Sequence, residues 1–337
     1  MHLMFSGRKS IVANNDVRTE RKQPSGKMKQ RNSYIEFVRF VCAILVALYH
    51  WKGGHFSGSY LVVEFFFILS GFFLMRHAER IREQSGDMSM ERCAQNSITY
   101  LKGRLKVLYP HFIFSFFVLF FIKVFVLQSV SLYHVAVNSF WEILFLQNIG
   151  LTLAGNLLNP ATWFLSSLLI MGYLIYFLLQ RYRTAFLYLI APFSVICGFC
   201  YLYMLNGDLS SVSTILGFTT IGMIKGFVGL SLGCLCYLMY RWFDLHLRKN
   251  SLLVCVFQTV IEFGIELVLL WGCYENGFSR KDFIFTVLFA VLLIMINLEN
   301  SLISRLFRWK CWRREIATIF CREYLTNFCR RTPELVE

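Results

Sequence analysis

The chain has 337 residues, of which 56% are hydrophobic, 17% aromatic and only 16% charged, with a formal net charge of +14. It is far too apolar for a soluble globular domain, and long uncharged runs recur along it, which is the composition of a polytopic membrane protein. The positive excess calls for no nucleic acid partner, because membrane topology and anionic lipid account for it.

Residues 1–33 are polar and basic and read as a disordered cytoplasmic tail. They are too polar for the n-region of a signal peptide, and no small-residue cleavage site follows the first apolar run, so that run reads as an uncleaved anchor. Spans follow at about Tyr34–Trp51, Tyr60–Met75, Val107–Leu127, Ala161–Gln180, Thr184–Leu205, Ile221–Tyr240, Leu252–Trp271 and Asp282–Leu298. Each has roughly the 17 to 25 residues a helix needs to cross ~30 Å of hydrocarbon. Val135–Ile149 is apolar but short, and Asn138, Glu142 and Asn148 interrupt it, so it reads as an interfacial or re-entrant segment. The expected fold is an all-α bundle of about eight spans over residues 34–298, with a basic cytoplasmic tail at 299–337.

Charge orients the spans. Of the 34 lysines and arginines, 28 fall in alternate connections (1–33, 76–106, 181–183, 241–249 and 299–337), while the opposite loops hold only Lys52, Arg280 and Lys281. By the positive-inside rule both termini face the cytoplasm. Of the eleven cysteines, only Cys273 is expected in an outer loop, which argues against a structural disulfide. The CGFC run at Cys197–Cys200 has redox spacing, but it lies inside a span without an activating charge and reads as packing.

The first span, EFVRFVCAILVALYHW from Glu36 to Trp51, carries an arginine and a histidine. Arg39 and His50 are eleven residues apart, about three helical turns, so they project from nearly one face some ~16 Å apart along the axis. A guanidinium near the inner end can hold phosphate bidentately, and an imidazole near the outer end can take a proton at neutral pH. Glu36, one turn before Arg39, can pair with it and offset the cost of its depth. An anchor reading fits the spacing equally well, with Arg39 snorkelling to the inner headgroups and His50–Trp51 at the outer interface. The second span tips the balance towards chemistry. VVEFFFILSGFFL begins with Glu64, and the eight-residue loop from Lys52 to Ser59 brings that carboxylate back beside the first span. Glu64 and His50 are therefore expected as neighbours, the carboxylate fixing the tautomer of the imidazole and raising its basicity. Ser70–Gly71 reads as a small-residue contact between helices.

Glu36-x-x-Arg39, ten residues and then His50, followed by VEFFFILSGFF, resembles the opening of the membrane acyltransferase-3 family, whose members move acyl groups, usually acetyl, onto cell-surface sugars. RLKVLYP (Arg104–Pro110), TWFLSSLLIMGY (Thr162–Tyr173) and IKGFVGLSLG (Ile224–Gly233) resemble later segments of the family. Departures are Val107, where the family often has a second arginine, and Ser166–Ser167, where some members carry a carboxylate. The resemblance implies an O-acyltransferase of the bacterial inner membrane, acting in capsule or O-antigen modification. Acyl-CoA, usually acetyl-CoA, would be the donor, a surface or lipid-linked saccharide the acceptor and lipid the surroundings; no metal is implied. It assigns Arg39, with Arg104 and Lys106, to the CoA end, and makes His50 the base for the acceptor hydroxyl, oriented by Glu64. The family usually has about ten spans. The basic tail after Leu298, where EYLTN (Glu323–Asn327) is at most an echo of a family signature, is therefore expected to be truncated or frame-shifted. A glycan polymerase or flippase would expose arginines in its outer loops, and a transporter would show inverted repeats, which this chain lacks. A scaffold has no use for charges at matched depths.

In a cysteine-free background, single cysteines labelled in intact cells with an impermeant maleimide are expected to react between residues 130 and 158 and not at residue 20. Strong labelling at residue 20 overturns the orientation.

Overall fold

A computed structural model of the chain describes residues 32–50, 56–86, 88–126, 132–150, 157–212, 214–216, 219–247, 251–275 and 280–308. The chain divides into a unit of residues 1–32, outside the described residues except for Asn32, and a bundle that begins at Ser33. The bundle opens with α1 (Ser33–His50), a short 3-10 turn (Ser57–Leu61) and α2 (Val62–Ser85). α3 (Met90–Phe121) ends in a π turn, and α4 (Leu132–Ile143) and α5 (Trp163–Arg181) follow. α6 (Arg183–Ala185) runs through a second π turn into α7 (Ala191–Asn206). A small antiparallel pair, β1 (Ile215–Leu216) with β2 (Thr219–Thr220), leads into α8 (Ile221–His246). α9 (Leu252–Glu275), α10 (Asp282–Leu298) and α11 (Leu302–Arg308) complete the described bundle.

Seven of the described helical segments are long and apolar enough to cross a membrane, and α10 is a shorter apolar one. They coincide with the eight expected spans and make the protein an all-α polytopic bundle. The third span is longer than its apolar part, because α3 starts at Met90 and carries Pro110 within it. α4 has twelve residues, too few to cross. Of the tails expected at 1–33 and 299–337, residues 1–31 and 309–337 lie outside the described residues, while 302–308 of the second form α11. Cys273 lies within α9 and is buried, not in a loop, and the Cys197 and Cys200 thiols are free on the outward side of α7.

The centre of the bundle is α2 against α8. Their apolar windows are 78% and 72% buried, whereas that of α3 is 11% buried. The aromatic and aliphatic residues of α3, α7 and α9 that face outward, among them Phe114, Phe117, Phe193 and Phe257, match a surface solvated by lipid rather than water. α2 and α8 run parallel with their backbones in close contact. A Cβ on Gly71 would overlap the Leu230 carbonyl, and one on Gly233 would overlap the Ile68 carbonyl. Lipid gives no hydrophobic drive for helix association, so this close van der Waals fit is what joins the two. α11 closes the far end, with the Phe307 ring stacked on Tyr34 at 5.0 Å between centroids.

Gly71→Ala should force the α2 and α8 backbones apart at a cost of about 1–3 kcal/mol, seen as a lower melting temperature in detergent. Gly103→Ala, whose methyl meets open space, should leave it unchanged or raise it.

Candidate active site

The helix ends at His50, Val62, Trp163 and Ile221 converge on a cavity of about 580 Å³. α1 contributes Ala43, Val46, Tyr49 and His50; the turn into α2 contributes Tyr60, Val63 and Phe66; α5 contributes Trp163 and Phe164. The segment between α7 and α8 adds Leu209, Ser210, Val212 and Thr220, and Lys225 of α8 completes the wall. Aromatic rings and neutral polar groups dominate this lining, the usual make-up of a small-molecule site.

Two of the neutral polar groups come from the short segment after α4. The chain turns at Phe145 and Gly150, both at positive φ, and inserts Gln147 and Asn148 into the bundle, each about 97% buried. The Asn148 amide donates to Ser167 Oγ at 2.5 Å, and the Thr220 hydroxyl donates to Asn148 at 2.7 Å. The Gln147 amide donates to the Thr162 carbonyl at 2.9 Å. Glu142 ties α4 to the start of α5 by accepting the backbone N–H groups of Leu158 and Asn159 at 2.8 Å each. Irregular backbone at this depth is tolerated because its polar groups find partners and line a cavity. Gly222 makes room for the arrangement, since a Cβ there would meet both Asn148 and Trp163.

Charge enters the wall through Lys225. Its side chain is 2% exposed, and the ammonium lies 2.8 Å from Glu64 Oε1, donates to the Leu209 carbonyl at 2.5 Å and sits 5.5 Å from the centroid of the Trp163 ring. Glu64 is equally buried. Although the charges touch, neither carboxylate oxygen accepts a hydrogen bond; the approach is too oblique, and charge rather than directed bonding holds the pair. Asp282, in the first turn of α10, accepts the Tyr60 hydroxyl at 2.6 Å and the Leu209 N–H at 2.9 Å. Leu209 therefore links Asp282, through its N–H, to Lys225, through its carbonyl.

His50 lines the cavity, with its ring edge-on to Tyr49 at 5.1 Å. Glu64 is not its partner. It faces α8 rather than α1, because α2 packs most extensively on α8, and the carboxylate goes to the nearest cation there, Lys225. The expected Glu64–His50 pair is corrected accordingly. Arg39 is at the opposite end of α1, half-exposed and paired with Glu36 at 3.0 Å. Arg104 lies over the Tyr100 ring at 5.4 Å on α3, and Lys106 is exposed further along that helix. α3 packs on α5, whereas α1 packs on α2 and α11, so the described contacts do not join Arg104 and Lys106 to Arg39. A stack of His77, Tyr100 and Tyr176 stands beside Arg104 instead, with the two tyrosine rings 4.5 Å apart.

Lys225, Asp282, Gln147 and Asn148 were not singled out from the sequence. Lys225 had a legible signal, as the only charged residue between Ile221 and Tyr240; an ionisable group inside a span is a functional candidate by default. The others had none, because each acquires its role from a partner distant in sequence.

Comparison with known proteins gives one family. Residues 32–320 match the acyltransferase domain that defines the acyltransferase-3 family. No curated protein and no solved structure matches the chain.

Proposed function

The chain belongs to the membrane acyltransferase-3 family, and from that premise we propose that it transfers an acyl group, usually acetyl, from cytoplasmic acyl-CoA to a hydroxyl of a surface or lipid-linked saccharide in a bacterial inner membrane. The observation that carries this reading is one cavity shared by His50, Lys225, several aromatic rings and two buried amides, with Glu64 paired to Lys225 behind its wall. Aromatic faces and amides suit the apolar faces and hydroxyls of a sugar.

On this reading Arg39 takes CoA phosphate, its planar fork exchanging Glu36 for the anion. Arg104 and Lys106, at the basic end of α3, add positive potential on the same side of the bilayer. His50, on the same helix as Arg39 and about 16 Å along it, accepts the proton of the acceptor hydroxyl as its oxygen attacks the thioester carbonyl. Acyl-CoA is a cytoplasmic product and surface glycans lie outside, so one helix reaching both sides suits the task. Glu64 serves through Lys225 and not by direct contact with His50.

Mass analysis of the host's surface glycan with and without the gene should show the increment of one acyl group only when the protein is present. His50→Ala should lower acylation by ~10²- to 10⁴-fold, the usual worth of a general base, at equal abundance in the membrane. Arg39→Lys should reduce it less, since a point charge replaces the fork. Undiminished acylation in His50→Ala returns both residues to an anchoring role.

A further inference from the structure

A buried ion pair is a poor way to stabilise a helical bundle, because an apolar pair of the same shape does as well or better. In a membrane interior the desolvation is at least as costly, so charges kept there mark function. The Lys225–Glu64 pair joins the two central helices, yet the backbone contact between those helices is made by Gly71, Leu230, Ile68 and Gly233, one to two turns further along. Packing does not require the charges.

The ammonium has three N–H donors. One donates to the Leu209 carbonyl, and the contact with Glu64 is one of charge; no other acceptor is present among the described residues, although Lys225 lines the cavity. The Trp163 ring at 5.5 Å shields another side of the group. Asp282 fixes Leu209 through its N–H while the carbonyl of the same residue takes the ammonium, so the lysine head is held from behind by a chain of buried groups. A fixed, desolvated donor aimed at a reaction cavity is the arrangement that stabilises developing negative charge.

We infer that Lys225 is the oxyanion-stabilising catalytic residue of this site, that Glu64 balances its charge in the wall of the cavity, and that Asp282 positions it through Leu209. The assignment rests on the acyl-transfer reading and deepens it. As the acceptor oxygen bonds to the thioester carbon, its proton passes to His50 and the carbonyl π electrons move to oxygen, where an uncommitted N–H of Lys225 meets them. Collapse of this intermediate restores the carbonyl and breaks the C–S bond. The leaving thiolate takes the proton from His50, so the products are the ester and free CoA.

The test separates catalysis from packing by removing the charges singly and together. Membrane vesicles from a host lacking the gene, with their endogenous saccharide, are supplied with the full-length protein and radiolabelled acetyl-CoA at the cytoplasmic face. Label in the saccharide fraction is normalised to monodisperse protein. Lys225→Met leaves Glu64 buried and unpaired, so the melting temperature should fall, and kcat should fall by ~10²- to 10³-fold. Glu64→Gln with Lys225→Met removes both charges with little change of shape. It should recover the melting temperature but leave kcat as low as in the single variant. Recovery of kcat together with stability makes the pair structural and overturns the proposal. A raised KM for acetyl-CoA with kcat unchanged also overturns it, reducing Lys225 to a binding group. If the parent protein labels nothing while Lys225→Met lowers only stability, the acyl-transfer reading falls and this assignment with it.

Discussion

The close approach of α2 and α8 is the constraint on which the rest depends. Glycines let the two backbones touch, and the parallel register that results sets Glu64 opposite Lys225 two turns further along. Gly226 and Gly229 extend the same groove, where Phe67 packs against α8 and reaches Trp163 and Phe164 at 5.9 and 4.5 Å between centroids. Since α5 joins through these rings, the cavity wall made by α2, α5 and α8 is one rigid construction. α1, which carries His50 and Arg39, leans on it from outside and is only 28% buried over its apolar length.

Polar groups inside the bundle are connected rather than scattered. Tyr60, Asp282, Leu209, Lys225 and Glu64 form one chain of contacts, and Gln147, Asn148, Thr220, Ser167 and Thr162 form another. Both reach the same cavity. Where neither water nor lipid can satisfy a polar atom, such networks are the alternative to an unpaired group costing several kcal/mol. The oxygens left without hydrogen bonds at this site, both of Glu64, belong to the first of these networks. Orphan atoms of this kind at a cavity are where a site is expected to depart from the rules that govern its scaffold.

Two further carboxylates, Glu262 buried and Glu266 half-buried, lie away from the cavity. Glu262 of α9 accepts from Gln258 at 2.8 Å, and Glu266, one turn on, accepts the Tyr34 hydroxyl at 2.5 Å. Glu262 bonds within α9 and to Ser301, while Glu266, through Tyr34, ties the loosely held first helix to the bundle. α11 adds to the same anchorage through Phe307 against Tyr34 and Phe37. The helix that bears Arg39 and His50 is thus fixed by polar and aromatic contacts near its start rather than by apolar burial along its length.

The spans were legible because hydropathy and length act locally: a run of apolar residues long enough to cross hydrocarbon is a helix whatever surrounds it. The short Val135–Ile149 segment was legible for the same reason, since it is too short and too polar to cross. The spacing of Arg39 and His50 on one helix also needed no tertiary knowledge, because helical geometry fixes it. The choice of partner for Glu64 did. Loop length brought α2 back beside α1, but which face of α2 points to α1 is decided by the glycine contact with α8, and that turned the carboxylate towards Lys225. Asn148 and Asp282 likewise looked like an interruption of an apolar run and the first residue of a helix. They became parts of a site only when packing placed them against Thr220, Tyr60 and Leu209, because a buried polar group takes its role from the partner that desolvation compels it to find.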